Sequence, residues 1–470
     1  MRALEWLARV TFCHRRNACR VSAAVEAGAP FGHAQHKLKT QLPPGTVSMF
    51  TARRQNHELG GFQRPLYLVA ISAVLSCLAA CGGSGNDPVA SGGGPPPGYA
   101  PGYAYIASAD VQRQQVPGAI YQYSIGADGS LAPLSVAAVP SGVTPTAVVA
   151  DPNGHYVYAA NLGDATVSQY AVGAGGGLMP LSPAVVGIPG AVPQAAGYSM
   201  SVDPKGRFLY VVIMPLNPPY TSASIAQYSI STDGTLAPLA TPYINVPASA
   251  SGALAIDSGA QHAYLPAATS VPGGEVFQFS IGADGTLSPL VPATAAATRG
   301  AIGVVIASSG QTAYVLSRCA DSACDGEVAQ YTIGADGALG PTGTITLTGG
   351  HVNPVTMVQD DSGSSAYLLV NFMGVDTNTG SVYQYAIDNT GTLVPEEPVS
   401  LIVASGAVTE STYGPGFYVL SANAFGQASG SPPGGHVDYY SIGSGGRLTA
   451  VRSTPVAGSL PTAMALVVAH

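Results

Sequence analysis

The chain has 470 residues, 46% of them hydrophobic and 9% charged, with 59 Gly, 38 Pro and a formal net charge of −8. Ten of the 17 basic residues lie before position 65, so the part from Gly82 onward carries seven Lys+Arg against 22 Asp+Glu, a net of −15. That balance argues against nucleic acid or an anionic surface as a partner of the body, and so much apolar content without a three-residue glycine period excludes a disordered or collagen-like chain.

The first segment with a clear identity is residues 66–80, LYLVAISAVLSCLAA, preceded by Arg53, Arg54 and Arg64. It is short for a bilayer span and matches the length of a signal-peptide core. Its ending, Leu78-Ala79-Ala80-Cys81, resembles a bacterial lipoprotein signal, in which the peptidase cuts before a lipid-bearing cysteine. The resemblance implies lipid attachment at Cys81, and Gly82 in place of Asp implies the outer membrane, facing the periplasm or the cell surface. Residues 1–48 then read as a non-native extension, 49–80 as the signal peptide, 81–101 as a Gly/Pro-rich tether and 102–470 as the folded body. In that body only Cys319 and Cys324 remain, five positions apart, and they read as one disulfide. A metal pair is the alternative, but no His or second Cys pair stands at zinc spacing.

The body is a repeat. YQYSIGADGSLAPL at 121–134 recurs in altered form from Ser168, Ala226, Phe277, Ala329, Tyr383 and Asp438, at spacings of 47 to 58 residues. Each copy alternates apolar and polar residues into a Gly-Ala-Asp-Gly-like turn, the pattern of a β-hairpin. A second hairpin precedes each, as in Ala147 to Ala150, the turn Asp151-Pro152-Asn153-Gly154, then Tyr156 to Ala159. Four strands per unit, with no helical period, define a propeller blade. The segment 461–468 matches a first strand without its hairpin partner, and 103–107 matches a second strand without a first. The expected fold is therefore all-β: a seven-bladed β-propeller of four-stranded antiparallel blades, closed by N- and C-terminal strands in one blade. Both kinds of hairpin turn share one end of the ring. The connections at the other end, such as 317–327, 372–381 and 422–437, are long and irregular, which marks that end as the expected binding face.

The second strands Val157-Tyr158-Ala159-Ala160-Asn161 and Leu209-Tyr210-Val211-Val212, the Asp-Pro-X-Gly turns before them, and Asn161-Leu162-Gly163-Asp164 give the body a YVTN-type repeat. It resembles the seven-bladed lactonase family, which includes a lactonase of 6-phosphogluconolactone, over residues 102–470. The resemblance implies carboxylic-ester (lactone) hydrolysis, which family members proposed as hydrolases are thought to run with an Arg-His pair entering an inner strand and a Glu ending the next. In the best-matching unit here those places hold Tyr198, Ser199 and Met214. Across the units the histidine position reads Ala147, Ser199, Ala253, Gly303, Thr356, Ala407 and Ala463, none of which transfers a proton near neutral pH.

Among the remaining ionisable groups, His351 stands just before Asn353-Pro354 at the loop-side start of an inner strand and is the best-placed base. Arg299 and Arg318 could stabilise an oxyanion, and Glu410, within an inner strand, could orient the base. His155 and His262 fall at tight turns, and His436 in a Gly/Pro-rich loop. The acidic run 321–327, DSACDGE, lacks the spacing of a calcium loop, and the GADG turns lack the Lys and helix of a phosphate cradle, so no metal and no cofactor is expected. These residues lead to a lipid-anchored monomer that binds a glycan, peptide or protein on its loop face, with a lactone hydrolase as the alternative.

Overall fold

The computed structural model describes residues 102–109, 117–191, 195–215, 222–268, 273–297, 299–319, 325–348, 352–372, 380–403, 407–422, 435–457 and 460–469. The signal peptide, Cys81 and the tether lie outside them. The described residues form seven sheets, each of four antiparallel strands. We number the blades in chain order from the one that contains Gly102. Blade 1 has the order Leu460–Val468, Gly102–Ala109, Pro117–Ile125, Leu131–Val143, so the last strand of the chain is its innermost and the ring closes as the sequence indicates. Blade 4 departs from the pattern: its inner strand is split into Ser249–Ala250 and Ala255–Ile256.

Hairpin chemistry explains why the strands end where they do. In blade 1's outer turn Gly129 sits at φ 74°, a conformation that costs glycine little, and the Asp128 carboxylate accepts the Ser130 N–H at 3.0 Å. Threonines do the same against Asp233, Asp284 and Asp388. The inner turns use a carboxylate in the same way, with Tyr156 N donating to Asp151 at 2.7 Å and Phe208 N to Asp203 at 2.9 Å.

Two latches tie neighbouring blades. One tyrosine of the second strand in each of blades 1 to 6 (Tyr105, Tyr158, Tyr210, Tyr264, Tyr314, Tyr367) donates its hydroxyl to the outer-turn glycine carbonyl of the next blade at 2.7–2.8 Å. The glutamines Gln122, Gln169, Gln227, Gln278, Gln330 and Gln384 accept the N–H of the next blade's first outer-strand leucine at 2.6–3.0 Å. Between the latches, side chains pointing out of both sheet faces pack blade on blade. Tyr158, Val167, Tyr198, Leu209 and Tyr228 form the cluster between blades 2 and 3. Because every blade is antiparallel, inner and outer hairpin turns share one end of the ring, and the second-to-third and fourth-to-first connections share the other. We call these the turn face and the loop face.

Candidate functional site on the loop face

The first- and second-strand positions Tyr198, Ser199 and Met214, singled out by the family resemblance, serve packing in this chain. The Ser199 hydroxyl donates to the Gly252 carbonyl at 3.1 Å, which ties blade 3 to blade 4. Tyr198 is 4% exposed, and burial followed by the charge of Asp164 raises its phenol pKa. Met214 packs on the apolar cluster between blades 3 and 4.

Polar groups with unused capacity lie one strand further out. Four buried side-chain atoms lack a hydrogen-bond partner among the described residues: Asn161 Oδ1, Ser317 Oγ, Glu327 Oε1 and Ser421 Oγ. All four belong to one loop-side row. Asn161, Ser317 and Ser421 end or nearly end second strands, and Glu327 starts the third strand directly opposite Ser317. Buried polar atoms are usually satisfied; these four stand at the same loop-side level of the ring, in blades 2, 5 and 7.

Blade 5 concentrates charge in that row. Arg299 Nε donates to Glu327 Oε2 at 3.3 Å, and the side chains are 34% and 7% exposed respectively. Arg318 ends the second strand, paired in register with Gly300, the residue after Arg299. It is exposed, yet surrounding protein lowers its guanidinium pKa by desolvation, the combination expected at the rim of a concavity. Backbone bonds pin this end to blade 6: Val352 N donates to Asp325 Oδ1 at 2.8 Å, and Cys319 N to Asn353 Oδ1 at 2.9 Å. In blade 2 the Asn161 amide nitrogen donates to Thr166 at 3.0 Å and Ser168 at 2.9 Å, and Thr166 to Asp164 at 2.9 Å.

The residues singled out from sequence are only partly brought together. Arg299 and Arg318 share the loop-side end of blade 5. His351 lies outside the described residues, as does Cys324, while Cys319 is disulfide-bonded. Glu410 lies in the inner strand Ala407–Tyr413, opposite Val419, and its side chain is outside the described residues. His436 corrects the sequence reading. It belongs to the strand Gly435–Ile442, opposite Ser421, with Nε2 3.4 Å from Asp438 Oδ2. Continuing the hairpin alternation backward over a Gly/Pro-rich run extends the strand further than its composition suggests. Glu327 was missed, although the repeat carries its signal: the position three before the motif glutamine reads Ala119, Thr166, Ser224, Glu275, Glu327, Ser381 and, before Tyr439, His436.

A cavity of about 560 Å³ opens elsewhere, at the turn-side end of the channel, lined by Val148, Asp151, Asn153, Val202, Met464 and Val467 among others. Its carboxylate is already engaged, since Asp151 accepts the N–H groups of Asn153 and Tyr156. Geometry there offers shape without chemistry, and the loop face offers the reverse. Among the described residues no three His, Cys, Asp or Glu side chains cluster as metal ligands would.

Seven four-stranded blades and a closure made by strands from both termini define a seven-bladed β-propeller. Residues 105–395 match the family model for the lactonase with a seven-bladed β-propeller, and the chain belongs to that family. Solved structures repeat the architecture. A putative 6-phosphogluconolactonase from Bacteroides fragilis aligns with TM-score 0.58 and 15% identity over 78% of this chain and 98% of its own. The periplasmic gluconolactonase of Pseudomonas aeruginosa aligns with TM-score 0.58 and 17% identity over 79% of this chain and 100% of its own. A putative 6-phosphogluconolactonase from Bacteroides uniformis gives TM-score 0.58 and 17% identity over 78% and 99%. At such identities the likeness concerns the fold. No curated protein sequence matches the chain.

Proposed function

We propose that this lactonase-family propeller is a binding protein that captures a ligand on its loop face. One observation carries the reading: polar capacity lies in the loop-side row of the second and third strands, while Tyr198, Ser199 and Met214 fill the family's catalytic places with packing and structural bonds. The scarcity of charge favours a glycan, peptide or protein over a phosphorylated ligand. The chain enters the ring at Gly102, the turn-side end of a second strand. A lipid on Cys81 would tether a monomer to the envelope, the outer membrane in our reading, through the segment that precedes Gly102. Glycan and peptide arrays probed with the full chain test this; captured ligands displaced by loop-face substitutions support it, and uniformly blank arrays overturn it.

Lactone hydrolysis is the second reading, favoured by family membership and by two arginines at the loop-side end of blade 5. His351 would take a proton from water, hydroxide would add to the lactone carbonyl beside Arg299 or Arg318, and the ring oxygen would leave with that proton. Turnover across sugar and aliphatic lactones, abolished by His351→Ala, supports this reading; turnover indifferent to that change sinks the assignment.

A further inference from the structure

The geometry points to Arg299, Glu327 and Ser317 as a subsite for a neutral polyhydroxylated ligand, a saccharide bearing no formal charge. This rests on the loop-face binding reading and specifies its ligand chemistry. The Glu327 carboxylate is 7% exposed, engages Arg299 through Oε2, and has Oε1 without a partner; directly across the strand pair, Ser317 Oγ is also without a partner and its residue is 0% exposed. A half-satisfied buried carboxylate is costly, and a group that donates to Oε1 relieves the cost.

The charges select among possible occupants. A carboxylate or phosphate would meet Glu327 itself and a body whose net charge is −15. An ammonium would compete with the Arg299 guanidinium for the same carboxylate. A hydroxyl group conflicts with neither. It donates to Glu327 Oε1 in a charge-assisted bond while accepting from Ser317 or, with charge assistance again, from the guanidinium. Access is through Arg299, the exposed member at 34%, whose long side chain must swing aside while keeping its charge near the carboxylate.

The test uses the full chain and isothermal titration with three probes: cellobiose, N,N′-diacetylchitobiose and glucuronic acid. We expect at least one neutral disaccharide to bind and glucuronate to bind more weakly. Glu327→Gln should lower the affinity for that disaccharide tenfold or more, and Ser317→Ala should lower it severalfold, with the thermal midpoint of each variant measured alongside. If Glu327→Gln fails to fold, Ser317→Ala and Arg299→Lys, which keep the carboxylate paired, carry the test. Saccharide binding unchanged in folded variants overturns the subsite and preserves loop-face binding. Preference for glucuronate overturns it in favour of an anion site at the arginines. No binding of any probe, together with blank arrays, overturns both.

Discussion

At the scale of single residues, the repeated tyrosine shows how one side chain serves two ends. Tyr314 is 0% exposed and donates to the Gly391 carbonyl at 2.7 Å, so its ring fills the space between blades while its hydroxyl satisfies a turn. Tyr314→Phe keeps the ring and removes the bond, and should cost about 1–2 kcal/mol in urea unfolding. Burial also raises the phenol pKa, to about 12 in Tyr314, Tyr170, Tyr385 and Tyr440. The unfolded value is about 10. A raised folded pKa means the stabilising contribution is intact below about pH 10 and is lost as pH climbs through the folded value. Urea midpoints should therefore hold steady up to about pH 10 and fall between about 10 and 12, with each such tyrosine adding up to about 1.4 kcal/mol per pH unit. Tyr314→Phe should make that fall shallower; an unchanged alkaline slope would refute the attribution.

At the scale of strands and hairpins, most of the fold was legible. The outer hairpins end in a Gly that accepts positive φ, and in blades 1, 3, 4, 5 and 6 an Asp carboxylate also closes the turn; both devices are visible as residues. The unpaired half-blades at 103–107 and 461–468 likewise revealed the closure. The glutamine in six of the seven copies was visible without its meaning. Its role spans two blades: Gln227 donates to the Thr241 carbonyl of its own outer strand at 2.8 Å and accepts from Leu287 of the next at 2.8 Å. Gln227→Leu preserves volume but strands one N–H and one carbonyl, and should cost about 2–4 kcal/mol by urea unfolding. A cost under about 0.5 kcal/mol would show that these groups find other partners. The site was less legible for a related reason. Attention to channel-lining strands picks out His351 and Glu410, whereas Glu327 gains its importance from Ser317 across the strand and Arg299 from the preceding connection, neighbours set by register.

At the scale of the whole ring, the seven seams are not equivalent. Between blade 7 and blade 1, Tyr439 stands in register where the other blades have their glutamine, and Gly416 stands where they have Tyr103, Tyr156, Phe208, His262, Thr312 or Ser365. The two changes compensate in volume: a Cβ on blade 1's Gly129 would collide with the Tyr439 ring, as one on Gly176 would with Tyr103. They differ in bonding, since a phenol donates and accepts through a single oxygen, whereas the amide reaches the two outer strands with two separate atoms. The tyrosine latch is also longest here, with Tyr418 Oη 3.5 Å from the Gly129 carbonyl. An ion pair crosses the same seam, Arg452 to Asp128 at 2.7 Å, but its side chains are 37% and 58% exposed, and such pairs contribute less than about 1 kcal/mol and weaken with salt. The ring should therefore open first between blades 7 and 1. Hydrogen exchange read on peptides covering 126–131 should be faster than on the equivalent peptides 173–178 and 231–236, and faster still in high salt. The double change Tyr439→Gln with Gly416→Tyr restores the arrangement of the other seams and should bring that exchange down to theirs. Tyr439→Gln alone leaves a void beside Gly416 and should accelerate exchange and cost about 2–4 kcal/mol. Equal protection of all seven outer turns in the unmodified chain would show that packing, without the amide latch, is enough to hold the seam.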